Sequence, residues 1–374
     1  MVALFIIYSL RQNQALIVIQ GMNSTNSQSG KGSALHTVAK VARIIIPLGV
    51  SAALVLWLFH KVDVNQVLAI VRQGVDYRYL VLMMFITMLS YMIRGIRWGI
   101  QLRAAGIPRI PALAECVSIF GAYALNLVIT YLGEAWRCVY ISRRENCKLS
   151  TVVGTDLGDR ASDGVMILLL LGLTLLVGKE YIDRFLDRYP LGKSIEHLTT
   201  DGSLWIWIVA IVGLLIVADC TFRHRPVVQG INRSIQRLWS GFAVLFHMNG
   251  TGMYIILTFG IWICYFLDTY VCFFAFPFTR QLISQPGTAW GLLPGLVVFV
   301  FGSCSMAVPS SGGLGPWNIA VMFALTLFGI SQDDAAAYSL VCWSFQTVMI
   351  IALGVFSALY IMINRRRDKQ KTAQ

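Results

Sequence analysis

Residues Ser118–Asp163 read SIFGAYALNLVITYLGEAWRCVYISRRENCKLSTVVGTDLGDRASD. The stretch opens apolar, as if to cross a bilayer. It then meets Gly133, Glu134 and Arg137 and runs into the basic residues Arg143, Arg144 and Lys148. A second ionisable group, Asp159, Arg160 and Asp163, stands just ahead of another apolar segment. Charges at the lips of apolar segments cost several kcal/mol in hydrocarbon, so a chain that keeps them there handles something polar at membrane depth.

Composition sets the class. The chain has 374 residues, 57% hydrophobic and 13% charged, where a soluble chain carries roughly twice that charged fraction. Several apolar runs approach the roughly 20 residues that span a bilayer as a helix, and no ten-residue alternation marks an outer-membrane barrel. The expected fold is all-α: a polytopic integral-membrane bundle of about six to eight crossings with one or two re-entrant hairpins. The net charge of +12 does not point to nucleic acid. Its Lys and Arg gather between apolar segments and at the C-terminus, which is the positive-inside bias. The eight cysteines contain no CxxC and no zinc-like His spacing, so neither a metal nor another cofactor is expected.

Three regions follow: a tail over 1–40, a membrane domain over 41–363 and a basic tail over 364–374. MVALFIIYSL is too short and lacks the basic leader of a signal peptide, and Asn23–Ser33 has the composition of disorder. We therefore read Met22 as the start. Segment one is 41–58, entered from a basic and hence cytoplasmic side; 61–78 is external, and 79–100 returns. Segment three, 112–132, has basic residues on both sides, so a full crossing would strand one cluster outside. A re-entrant hairpin obeys the charge rule. Segment four is 161–177, and 179–201 is external. Segment five, 204–218, leads to an amphipathic interfacial helix over 226–247 with apolar residues at helical spacing. Segment six is 253–275. Residues 290–330 hold no Lys, Arg, Asp or Glu and make either two crossings or one hairpin entering from outside. The hairpin would pair with the first as an inverted repeat, in which broken helices meet near the midplane. The last span, 335–363, stops at Arg365, Arg366 and Arg367, so both termini are expected in the cytoplasm.

Candidate site residues lie on the two bends. Pro309–Gly315, PSSGGLG, is either a helix corner or a loop whose amides, at Gly312, Gly313 and Gly315, meet an anion or headgroup. Glu134 and Arg137 share a helical face, as do Arg160 and Asp163; each is a surface pair or a headgroup contact. Asp159 reads as a solvated cap. Arg94 and Arg97 either snorkel to bulk lipid phosphate or join the site. Asp268 lies deep in its segment and either serves function or pairs with Arg94 or Arg97. Asn126 and Asn318 stand beside the bends, where their amides can satisfy freed backbone. GxSxG, Walker and HExxH motifs are missing, so no enzyme is expected.

Asn126, Gly133-Glu134, Arg137, Arg160, Asp163 and PSSGGLG together resemble the membrane region of the lysylphosphatidylglycerol synthase/flippase family, over about residues 41–362. The resemblance implies a lipid-translocating module with re-entrant elements, in which an Asn-bearing segment leads into a Gly-Glu-x-x-Arg turn. Two departures stand out. The family often has Pro before the first turn, where this chain has Thr130 and Tyr131. It often has Glu after the second glycine motif, where this chain has Asn318; losing that acid weighs against a cationic headgroup such as a lysyl-lipid. Only Asn364–Gln374 follows the last span, so lysyl-lipid synthesis, the work of a soluble domain in that family, is not expected. The reading is a protein that binds and flips a polar-headgroup lipid, phospholipid or polyprenyl-linked, across a bacterial-type inner (plasma) membrane. The alternative is a non-transporting membrane subunit that anchors a glycosyltransferase or lipid-modifying enzyme. A membrane enzyme partner and a homo-oligomer fit either reading.

Overall fold

The computed structural model describes residues 74–178, 250–308 and 310–372. The tail over 1–40, segments one and five, the external stretch over 179–201 and the amphipathic helix over 226–247 lie outside the described residues. Within them the chain is helical, without a strand.

Among the described residues four helices are long and apolar enough to cross a membrane: α1 (Tyr77–Ala104), α4 (Leu149–Val177), α5 (Thr251–Cys272) and α9 (Gln332–Thr372), whose apolar part is Gln332–Asn364. Asp76 starts α1, its carboxylate accepting from the Arg78 amide at 3.2 Å. Ser331 starts α9: its hydroxyl accepts from the Asp334 amide at 3.1 Å and donates to the Asp334 carboxylate at 2.6 Å. Large apolar side chains such as Phe85, Leu169, Leu176, Ile256 and Val355 stay exposed, as suits a surface facing lipid. The protein is a polytopic helical membrane protein.

Between the long helices lie short ones. α2 (Ala112–Val128) and α3 (Leu132–Arg144) form one hairpin; α7 (Leu292–Ser305) and α8 (Pro316–Thr326) form another. A short α6 (Pro277–Ser284) precedes the second. At 1.5 Å per residue these helices are about 26, 20, 21 and 17 Å long, too short for the ~30 Å of hydrocarbon. Residues 290–330 thus form a helical hairpin, each arm of which is shorter than a bilayer span.

The chain twice runs through a long helix, a short hairpin and a long helix. α1 lies antiparallel to α5, with Asp76 bonded to Ala275 at one end and Gln101 to Tyr254 at the other. The second pass thus has opposite polarity to the first. Two cores result. One gathers α6 to α8 with the start of α9; the other gathers α2 and α3 with the basic end of α1 and with Ile350 and Leu353 of α9. α9 runs along both hairpins. Trp343 Nε1 donates to the Gly312 carbonyl at 2.9 Å, and Ser357 donates to the Val117 carbonyl at 2.8 Å.

Several boundaries differ from expectation. α4 begins at Leu149 rather than Ala161, so the residues expected ahead of the span lie within its helix. α9 continues as helix through the basic stretch to Thr372. Segment three comprises α2 plus the turn into α3.

Gly133 fixes how closely the first hairpin closes. A Cβ there would overlap the Ala122 carbonyl oxygen, whereas one at Gly154 meets nothing within 4 Å among the described residues. Gly133→Ala should lower stability by about 1–3 kcal/mol through overpacking, and Gly154→Ala should be neutral or slightly stabilising. Thermal unfolding of the purified chain reads both.

Candidate functional site

The two hairpin tips meet. Thr130 Oγ1 donates to the Ser310 carbonyl at 3.1 Å. A Cβ at Gly312, whose φ is +60°, would stand 2.7 Å from a Leu127 methyl carbon.

Each tip is closed by an asparagine. Asn126 Oδ1 accepts from the Gly133 amide at 2.8 Å, and its Nδ2 donates to Glu134 Oε1 at 3.1 Å. Asn318 Oδ1 accepts from the Gly315 amide at 3.1 Å. In each case a side chain satisfies a glycine amide at the start of a return helix, one of the groups a helix leaves unpaired. Gly315, at φ +94°, turns the chain into Pro316, the first residue of α8. The first tip turns at Tyr131, whose φ of +67° is a conformation that costs a bulky residue roughly 1–3 kcal/mol. Gly313 also sits at positive φ, with Met306 against it.

Where α1, α3 and α4 pack beside the tip lies an ionic lattice. Arg94 and Arg97 on α1 each reach both Asp159 and Asp163 on α4: Arg94 at 3.2 and 2.7 Å, Arg97 at 2.6 and 2.9 Å. Arg137 on α3 pairs with Asp156 and approaches Asp159 at 3.7 Å. Its guanidinium stands 4.5 Å from the centre of the Trp98 ring, a cation–π contact. Tyr265 and Thr258 on α5 accept from Arg94 and Arg97 at 3.2 Å each. All three arginines and all three aspartates are buried, Asp159 completely. Three positive and three negative charges balance.

These positions revise five expectations. Asp159 is no solvated cap; it accepts from Arg94 and Arg97 and lies within ion-pair distance of Arg137. Arg94 and Arg97 do not snorkel; they are spent on carboxylates. Asp268 does not pair with them: its Oδ2 accepts from Thr87 Oγ1 at 3.1 Å. Glu134 does not pair with Arg137; it meets Arg160 at 2.6 Å. Arg160 and Asp163 likewise part, one toward the tip and one into the lattice. Asp156 escaped the sequence reading, although Asp156, Asp159 and Asp163 at spacings of three and four share a helical face.

The Glu134–Arg160 pair differs from the lattice. It stands beside the tip and keeps 17% and 25% of its side chains exposed. Glu134 Oε2 and Asn318 Nδ2 are buried without a hydrogen-bond partner among the described residues. The tips thus hold one spare acceptor and one spare donor. Among the described residues no three His, Cys, Asp or Glu are placed to hold a metal ion.

Removing one member of a buried ion pair strands the other. Asp159→Ala should cost about 3–5 kcal/mol, while Arg160→Gln should cost about 1 kcal/mol. Unfolding midpoints of the two variants in one detergent check the ordering.

The comparisons with known proteins agree with this architecture. A family model described as the lysylphosphatidylglycerol synthase TM region matches residues 44–354. No curated protein and no solved structure matches the chain. The match covers most of the chain and nearly all of its membrane part, so the chain belongs to the lysylphosphatidylglycerol synthase TM region family.

Proposed function

We propose that this protein binds a lipid with a polar headgroup and carries that headgroup between the leaflets of the inner membrane, with both termini in the cytoplasm. The observation that carries the reading is the Thr130–Ser310 contact between the tips of two oppositely directed hairpins. Helices that end at membrane depth are tolerated only where protein or a wet cavity surrounds them, and opposed hairpins of this kind place a polar passage near the midplane. Arg103, Arg143, Arg144 and Lys148 lie at one end of the bundle, which the positive-inside rule makes cytoplasmic.

The polar groups have separate roles in this account. The lattice around Asp159 fixes α1, α3 and α4 and carries no net charge, so it holds the frame. Headgroup contact falls to the tip: Arg160 toward phosphate, Glu134 Oε2 toward an amine or hydroxyl, Asn318 Nδ2 toward a phosphate or carbonyl oxygen. The glycine bends let a headgroup pass while its tails stay in lipid. No covalent step is required.

In liposomes carrying lipids labelled on the headgroup, the purified chain should expose inner-leaflet label to a membrane-impermeant quencher. Glu134→Gln and Arg160→Gln should slow that exposure by about tenfold or more, the worth of a charge-assisted hydrogen bond, with unfolding midpoints near wild type. Wild-type rates in both variants would remove these residues from the site. Absence of movement for every native lipid, with folded protein, would remove the function.

A further inference from the structure

A second polar site lies at the basic end, apart from the tips. A cavity of about 340 Å³ opens between the end of α1 and the start of α2, lined by Arg103, Arg109, Glu115 and apolar neighbours including Ile96. That is within the range of small-molecule sites. Glu115 is buried, and its carboxylate occupies the space that a side chain on Gly99 would fill. From there it accepts from Arg103 Nη1 at 3.2 Å. Arg103 and Arg109 are both exposed. Two guanidiniums against one carboxylate leave the cavity net positive.

An apolar track leads into it. Leu82, Phe85, Leu89, Met92 and Ile96 are exposed among the described residues. Their spacing of three and four places them in one stripe on α1, and Arg103 follows Ile96 by seven residues on the same face. The stripe runs about 21 Å, more than the ~15 Å of hydrocarbon in one leaflet.

We propose that this cavity and stripe dock one anionic glycerophospholipid from the leaflet on the basic side. Its phosphate lies between Arg103 and Arg109, and a tail lies along the stripe. Glu115 is a positioning residue that holds Arg103 in place. The net positive lining repels a cationic headgroup, so the site selects against a lysyl-lipid. Docking stands on this geometry alone; its part as the loading point rests on the translocation reading above.

The test uses the full chain in detergent. Native mass spectrometry with phosphatidylglycerol should show a bound lipid that Arg103→Gln/Arg109→Gln weakens by about tenfold or more, while phosphatidylcholine binds more weakly. A photoreactive phenylalanine at position 96 should capture phospholipid in membranes. Unchanged phosphatidylglycerol retention in the double variant overturns the site. Photocapture of another segment of this chain, or of a second copy, also overturns it, because the stripe is then an interface between protein surfaces. Binding of inorganic phosphate that the double variant abolishes, with no lipid effect, makes the cavity a soluble-anion site and overturns the lipid assignment. A double variant that loses the lipid yet translocates at the wild-type rate upholds docking and overturns the loading role alone.

Discussion

A backbone that turns inside hydrocarbon must satisfy its own amides and carbonyls, because no water is there to do so. The rest of this structure follows from that constraint. At the first tip Asn126 takes the Gly133 amide; at the second Asn318 takes the Gly315 amide. Thr130 serves the Ser310 carbonyl, and Trp343 serves that of Gly312. The first hairpin thus closes its turn with its own asparagine, and the second draws in addition on Thr130 of the first and Trp343 of α9. The long helices must then shield the pair, and α9 does so by running past both.

Charge obeys the same logic. An isolated ion at this depth costs several kcal/mol. Arg94, Arg97 and Arg137 therefore stand against Asp156, Asp159 and Asp163, with tyrosine and threonine hydroxyls on α5 beside the first two. The three arginines and three aspartates cancel in charge, although Arg97 Nε and Arg137 Nε stay without a hydrogen-bond partner among the described residues. The Glu134–Arg160 pair beside the tip keeps part of each side chain exposed, and it is the pair that the proposed passage uses. Division of labour between a sealed anchor and an open pair explains how one small region holds so many charges.

Much of this was legible in the chain. Basic residues on both sides of 112–132 spoke against an ordinary crossing, and the glycines at 133, 312, 313 and 315 marked where the backbone turns. The asparagines beside them were visible as polar residues with work to do. Pairing was not. Three-residue spacing offered Glu134–Arg137 and Arg160–Asp163 as partners, but spacing cannot see a neighbouring helix. Once α3 and α4 pack, Arg137 finds Asp156 and Glu134 finds Arg160. The start of α4 was missed for a related reason. LSTVVGTDLGDR at Leu149–Arg160 is too polar to look membrane-embedded, and its aspartates are buried because α1 and α3 supply arginines to them. Asp159 looked like a cap because its three partners lie 22 to 65 residues away.

The most direct test of the account is whether the tips touch in a membrane. Cysteines at positions 130 and 310, in a chain whose native cysteines are replaced, should be joined rapidly by a short bifunctional reagent, as should a control pair at 117 and 357 where α2 packs on α9. The account predicts efficient joining of both pairs and loss of headgroup movement on joining 130 to 310. Joining at 117 and 357 with none at 130 and 310 would mean that the hairpins do not meet, and would contradict it.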